Sequence, residues 1–228
     1  MLGPDRSFVR RVLLHALILG LLFAFAPAAR AAQDAGAAAR EKAVSDLRSR
    51  DATTRVRACA VLAEAGKQSD LPPLLTALHD PAQEVRQAAE RAIWRIWSRS
   101  GDAATDRVFE AGMAQMEKGD WRAAVETFGQ VIRMKPEFAE GWNKRATLYF
   151  LLGEDDLSLR DCDEVIRRNP QHFGVLAGYG QLHIRKGDLA GALDYFERAL
   201  AINPNMDGVR DSIDAIGKIL SEKQKRFI

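Results

Sequence analysis

Apolar residues return along this chain at spacings of three and four, the interval that places them on one side of an α-helix. Ala43, Val44 and Leu47 open one such stripe, Leu71, Leu74, Leu75 and Leu78 another, and Val209, Ile213, Ile216 and Leu220 a late one. Two helices turn smaller residues inward: Val56, Ala60 and Ala63, then Val85, Ala89, Ala92 and Ile96. From about residue 105 the stripes are cut at a fixed interval, because Gly119, Gly153 and Gly187 stand 34 residues apart, as do Pro136, Pro170 and Pro204. Each glycine ends a helix where a left-handed residue is needed, and Asp120, Glu154 and Asp188 follow where a negative group favours the next helix dipole. Each proline stops that second helix. A hairpin of this kind has an apolar face that only a stacked neighbour can bury. The pattern therefore predicts an all-α fold, an alpha-alpha superhelix or solenoid of antiparallel helical hairpins.

The 34-residue period is that of the tetratricopeptide repeat, and the residues within it resemble that family. With repeats at 105–138, 139–172 and 173–206, the signature positions hold Gly112, Ala124, Phe128 and Pro136, then Trp142, Tyr149 and Pro170, then Gly180, Ala192, Phe196, Ala199 and Pro204. Gly112, Ala146 and Gly180 let paired helices approach closely, and Phe128 and Phe196 fill the space between hairpins. The middle repeat departs from the pattern, with Ser158 and Cys162 in place of the usual alanine and aromatic. A final segment, 207–228, reads as a helix that caps the third repeat, followed by a solvated basic tail.

Residues 40–101 contain a second, shorter repetition. Asp51 to Ala60 and Asp80 to Ala89 share the pattern D-x(4)-V-R-x-[AC]-A, offset by 29 residues. The pattern resembles HEAT-like repeats, which implies that Asp51 and Asp80 cap the second helix of each hairpin. It also implies that Arg57 and Arg86 pack along the stack near acidic groups. An irregular helical cap on the following repeats is the alternative. Trp94 and Trp97 share a helical face and are expected to pack at the junction with the next module, with an exposed aromatic docking patch as the alternative. Ser98 to Asp102 reads as a hinge, and 32–39 as a mobile lead-in, with a frayed first helical turn over Ala35 to Ala39 as the alternative.

The first 31 residues follow the layout of a bacterial secretory signal peptide. Arg6, Arg10 and Arg11 precede an uncharged run from Val12 to Ala26, and small residues follow, with cleavage expected before Ala32. An uncleaved inner-membrane anchor is the alternative. The assignment changes the meaning of composition. The chain of 228 residues is 47% hydrophobic, 28% charged and 7% aromatic, with 33 basic and 31 acidic side chains. That excludes a disordered or collagen-like polymer, and a charge of +2 argues against a nucleic-acid clamp. Residues 1–31 hold four of the basic and one of the acidic groups, which leaves the remainder near neutral at −1.

Candidate chemistry is sparse. The histidines, at 15, 79, 172 and 183, are scattered, and no spacing suggests a metal site, a phosphate loop or a nucleophile elbow. No cofactor, no metal and no catalysis are expected. Cys59 and Cys162 lie in different modules and read as two buried free thiols. What remains is a surface. The resemblance implies that first helices line a concave groove for a partner peptide or helix. By repeat position that groove holds Phe109, Met113 and Met116, then Asn143, Thr147 and Phe150, then Gln181, Ile184 and Arg185. Asn143 and Gln181 would bond a partner backbone and Arg185 a carboxylate. Packing of Phe109, Met113 and Phe150 inside the solenoid is the competing reading. The basic clamp that some tetratricopeptide arrays use for a C-terminal carboxylate is absent, since Phe109, Met113, Gly174 and Gly178 hold its positions. The expected function is a non-catalytic protein-binding scaffold of the periplasm. A membrane-anchored assembly factor is the alternative, and a HEAT-like cofactor lyase a remote one.

Overall fold

The computed structural model describes residues 34–225, so the signal-type segment, its cleavage point and residues 226–228 lie outside the described residues. Helix α1 spans 34–46, so the expected lead-in is helical from residue 34 onward. Then come α2 (Ala52–Ala65), a 3-10 turn (Gln68–Asp70), α3 (Leu71–Ala77) and α4 (Gln83–Trp97). Three hairpins follow: α5 (Ala103–Lys118) with α6 (Trp121–Met134), α7 (Ala139–Leu152) with α8 (Asp155–Arg168), and α9 (Phe173–Arg185) with α10 (Leu189–Ile202). Helix α11 (Asp207–Lys225) closes the array against α10, burying Val209 and Ile216. No strand interrupts the described residues.

The 34-residue punctuation works as read. Gly119, Gly153 and Gly187 take φ of 79°, 76° and 78° at the turns between paired helices. Asp188 caps α10 by accepting the Gly191 N–H at 2.9 Å. Asp120 and Glu154 occupy the same place without a capping bond, so only their charge acts there. Phe128 and Phe196 are fully buried between their helices. Gly180 makes room for the second of these: a Cβ there would lie 2.3 Å from Phe196 Cε1. Gly180→Ala should therefore destabilise the protein by about 2 kcal/mol, because overpacking a ring that cannot move exceeds the gain in helix propensity of about 1 kcal/mol. A urea midpoint equal to wild type would refute this.

The N-terminal unit differs from its sequence reading in register. Helices α2 and α4 start from N-caps Asp51 and Ala82, an offset of 31 residues rather than 29. Ala58, Cys59 and Leu62 are buried, whereas Ala60 is exposed and Val56 and Ala63 only half-buried. Asp51 does cap its helix, through the Thr54 N–H at 2.8 Å. Asp80 does not. It accepts the Ala82 N–H and binds Arg55 through two hydrogen bonds of 2.7 and 2.8 Å. Arg55, not the exposed Arg57, is thus the residue that packs along the stack. Arg86 matches it at the same 31-residue step. Arg55 donates to the carbonyls of Ser49 and Arg50, Arg86 to those of Asp80 and Pro81, and the Arg86 Nε reaches Asn205 Oδ1 at 2.6 Å.

Asn205 belongs to the turn before α11, so the N-terminal unit folds back across the turns that join the later repeats. Trp97 stacks on His172 at 4.4 Å and 16°, and Trp94 meets Phe173 edge-on at 5.3 Å. The two tryptophans do pack at a module junction, but their partners are in the third hairpin and the turn before it. The segment from Ser98 to Asp102 is pinned rather than hinged. Ser100 N–H donates to Asp106, Lys135 donates to the Ser100 carbonyl, and Arg99 donates to the carbonyls of Ala63, Glu64 and Gly66.

Candidate functional site

The nine predicted groove residues separate into three groups. Phe109 is 4% exposed and packs edge-to-face on Phe128 and Phe138, with ring centres 5.5 and 5.3 Å away. Met113 and Met116 pack against the same cluster. Phe109 thus belongs to the core of the first hairpin, and the half-buried Met113 and Met116 pack onto it. Arg185 and Ile184 are also committed. The Arg185 guanidinium lies 3.7 Å from the Phe150 ring centre, donates to the Phe150 carbonyl at 3.0 Å and pairs with Asp155, while Ile184 packs under α11. Arg185 therefore does not stand ready for a partner carboxylate.

Asn143, Thr147, Phe150 and Gln181 do come together, on facing sides of a cleft of about 130 Å³ between α7 and α9. Its other walls are Ala146, Ser158, Cys162, Gly174, Gly178, Val175 and Leu182. The cleft has a simple origin. In the outer hairpins a glycine faces a phenylalanine, Gly112 with Phe128 and Gly180 with Phe196. In the middle hairpin the equivalent positions hold Ala146 and Cys162, and no ring fills the space. Ser158 closes the back wall by donating to the Ala146 carbonyl at 2.8 Å. On the α9 side Gly178 has open space where a Cβ would stand, while Gly174 is crowded by Trp94, whose Cη2 would be 2.7 Å from one. The departure at Ser158 and Cys162 was thus the sequence signal for the cleft, and the two glycines of α9 complete it.

The chemistry of the walls is quiet. Burial pushes the Cys162 thiol up to about 12 and the Cys59 thiol up to about 11, so both remain unreactive thiols, and both are unbridged. Asn143 is only 9% exposed and its amide donates to Glu140 Oε2 at 2.9 Å, which leaves its carbonyl oxygen as the group available to a partner. Among the described residues no cluster of three or more His, Cys, Asp or Glu could hold a metal ion, and no helix is long and apolar enough to cross a membrane.

Behind Asn143 lies a buried polar group that periodicity did not reveal. Glu140 is 1% exposed and His172 is 0% exposed, and the two are joined by a bond of 2.7 Å between Nε2 and Oε1. His172 Nδ1 accepts the Val175 N–H at 3.1 Å and so caps α9, which places the ring proton on Nε2, toward Glu140. Lys144 Nζ stands 3.6 Å from the same carboxylate. Burial alone would raise the Glu140 carboxyl, but the hydrogen bond from His172, together with Lys144 and Asn143, holds it down at about 2. The group ties α7 to α9 and fixes the floor of the cleft.

Comparison with known proteins agrees with the hairpins. Residues 109–172 and 174–206 each match a model of the tetratricopeptide repeat. A TPR repeat-containing protein of Rhizobium etli is 30% identical over 125 residues, which is 55% of this chain and 61% of that protein. An FK506-binding protein-like protein of Mus musculus is 25% identical over 144 residues, 60% of this chain and 41% of the other. The chain thus spans less than two thirds of either relative. Among solved structures, the Sgt2 TPR domain from Aspergillus fumigatus superposes with a TM-score of 0.51 at 17% identity, covering 54% of this chain and 83% of that one. That last likeness speaks for the fold.

Proposed function

From the tetratricopeptide repeats of residues 109–206 we propose that the protein is a non-catalytic scaffold that binds a protein or peptide partner in the cleft between α7 and α9. The observation that supports this reading is the cleft itself, about 130 Å³ of mostly apolar space opened where Cys162 replaces an aromatic residue. It has room for one apolar side chain of a partner. The Asn143 carbonyl oxygen and the exposed Gln181 amide lie at its edge to bond the partner's backbone. The cage around Glu140 prearranges the walls, which lowers the ordering cost of binding. The layout of residues 1–31 supports a periplasmic location with the leader removed. N-terminal sequencing of the exported protein tests that location, and a start at Met1 on membrane-bound protein would replace it with the anchored form.

Gly178 offers the cleanest test of the cleft, because a side chain there meets nothing within 4 Å. Gly178→Leu should keep or raise thermal stability, since glycine inside a helix costs about 1 kcal/mol relative to better helix formers. It should also fill the cleft and reduce crosslinking to partners captured by the wild-type protein in its native cell about tenfold. Equal capture by a folded variant would remove the cleft from the mechanism.

A further inference from the structure

The pinned linker, the N-terminal unit and two inter-repeat turns enclose a second cavity, of about 440 Å³. Arg99 and Lys135 line it, half-buried, and their bonds run to backbone carbonyls: Arg99 to Ala63, Glu64 and Gly66, Lys135 to Ser100. Among the described residues neither has a salt-bridge partner, whereas the third lining cation, Arg168, is neutralised by Glu164. Burial, with Arg95 as a smaller influence, acts against the Arg99 charge, and Glu64 and Asp106 offset this only in part. Two half-buried cations beside one space, with carboxylates near but none in ion-pair contact, leave charge that a bound anion would compensate.

Other features of the cavity favour the same kind of ligand. The buried Trp97 indole N–H, in its wall, has no acceptor. The first turn of α7, Ala139 and Glu140, opens on it with no side chain capping the helix. Of the two carboxylates in the lining, Glu140 is already held by His172, Asn143 and Lys144, and Glu137 is on the exposed rim. Trp97, Phe138 and His172 supply aromatic surface around these donors.

We propose that this cavity is a binding site for a small organic anion, an oxyanion group on an apolar body, held between Arg99 and Lys135 against the Trp97 wall. The oxyanion could belong to a free metabolite-sized acid or to the carboxyl end of a peptide, since both present the same group. The site is separate from the cleft between α7 and α9, and its test does not depend on that reading.

Calorimetric titration of the full protein at constant ionic strength, with sodium phosphate, sodium benzoate, N-acetyl-phenylalanine and N-acetyl-phenylalanine amide, decides the matter. Saturable binding of benzoate or N-acetyl-phenylalanine at about 1 mM or tighter, tighter than phosphate and without binding of the amide, is expected, and binding of phosphate alone would overturn the apolar part of the site. Benzoate binding as tightly as the acetylated amino acid points to a free acid, and tighter binding of the acetylated amino acid points to a peptide carboxyl end. Lys135→Gln keeps a donor for the Ser100 carbonyl and should weaken binding about tenfold. Glu137→Gln, on the rim where folding is not at stake, should strengthen it a few-fold, and Gly178→Leu should change nothing. Absence of saturation with every probe, equal affinity for acid and amide, or indifference to both charge changes would overturn the proposal.

Discussion

Glu140→Ala is expected to lower stability by about 3 to 5 kcal/mol, because buried donors that share one carboxylate each lose their acceptor at about 1 to 3 kcal/mol. The alanine leaves the His172 Nε2–H, the Asn143 amide and Lys144 facing a dry space where the carboxylate had satisfied all three. For a chain of this size that corresponds to a fall in melting temperature of roughly 10 °C. The same group has a pH signature. Its carboxyl sits at about 2 in the folded protein against an ordinary 4.5. Its stabilisation is therefore fully present above pH 4.5 and is lost as the pH falls from there toward 2, to an extent of up to about 3 kcal/mol. Wild type and Glu140→Ala should accordingly converge in urea midpoint as pH is lowered through that window. Parallel curves would show that Glu140 is not the carboxylate responsible.

The second large effect concerns the fold-back. Trp97 is 3% exposed, stacks on His172 and touches Phe173 at 5.1 Å. Trp97→Ala should cost about 3 to 5 kcal/mol, the range for emptying a large aromatic from a core. Its local result is more informative than its size. With the stack gone, the segment from Ser98 to Asp102 should become a site of limited proteolysis, while the hairpins from α5 to α10 keep their helical signal. Protection of that segment equal to wild type would mean that its backbone bonds alone hold the unit in place.

Sequence patterning reached different depths in the two halves of the chain. Between residues 105 and 206 the glycines and prolines punctuate every helix, so hairpin boundaries, the close approach of paired helices at Gly180 and the helix after the third repeat were legible, whereas the ring that Gly180 accommodates, Phe196 of its own hairpin, was not. Helix α2 has no such phase, because alanines at 52, 58, 60, 63 and 65 occupy several of its faces. An alignment on Val56 and Val85 was as plausible there as the true one on the N-caps. Of the expected groove residues, those of the middle hairpin and Gln181 lie together at one cleft because repeat position places them on facing helices. Phe109 went to the core and the two methionines pack beside it, since repeat position does not say that Phe128 and Phe138 would close on Phe109. The link from Glu140 to His172 spans 32 residues and joins two helices, and no local rule connects a glutamate and a histidine at that distance.

The bond from Arg86 to Asn205 reaches across 119 residues and has a consequence for how this protein could evolve. An open solenoid lengthens freely, since a duplicated repeat need only contact its neighbours. Here the N-terminal unit holds the turn after the third repeat as though it were the next rung of its own ladder. Duplicating a hairpin anywhere between residues 103 and 202 would carry Asn205 away from Arg86, and duplicating either of the first two would also carry Phe173 away from Trp97. The number of repeats is therefore set by closure, and variation in this architecture should be confined to substitutions within hairpins, as at Cys162, rather than to changes in their count.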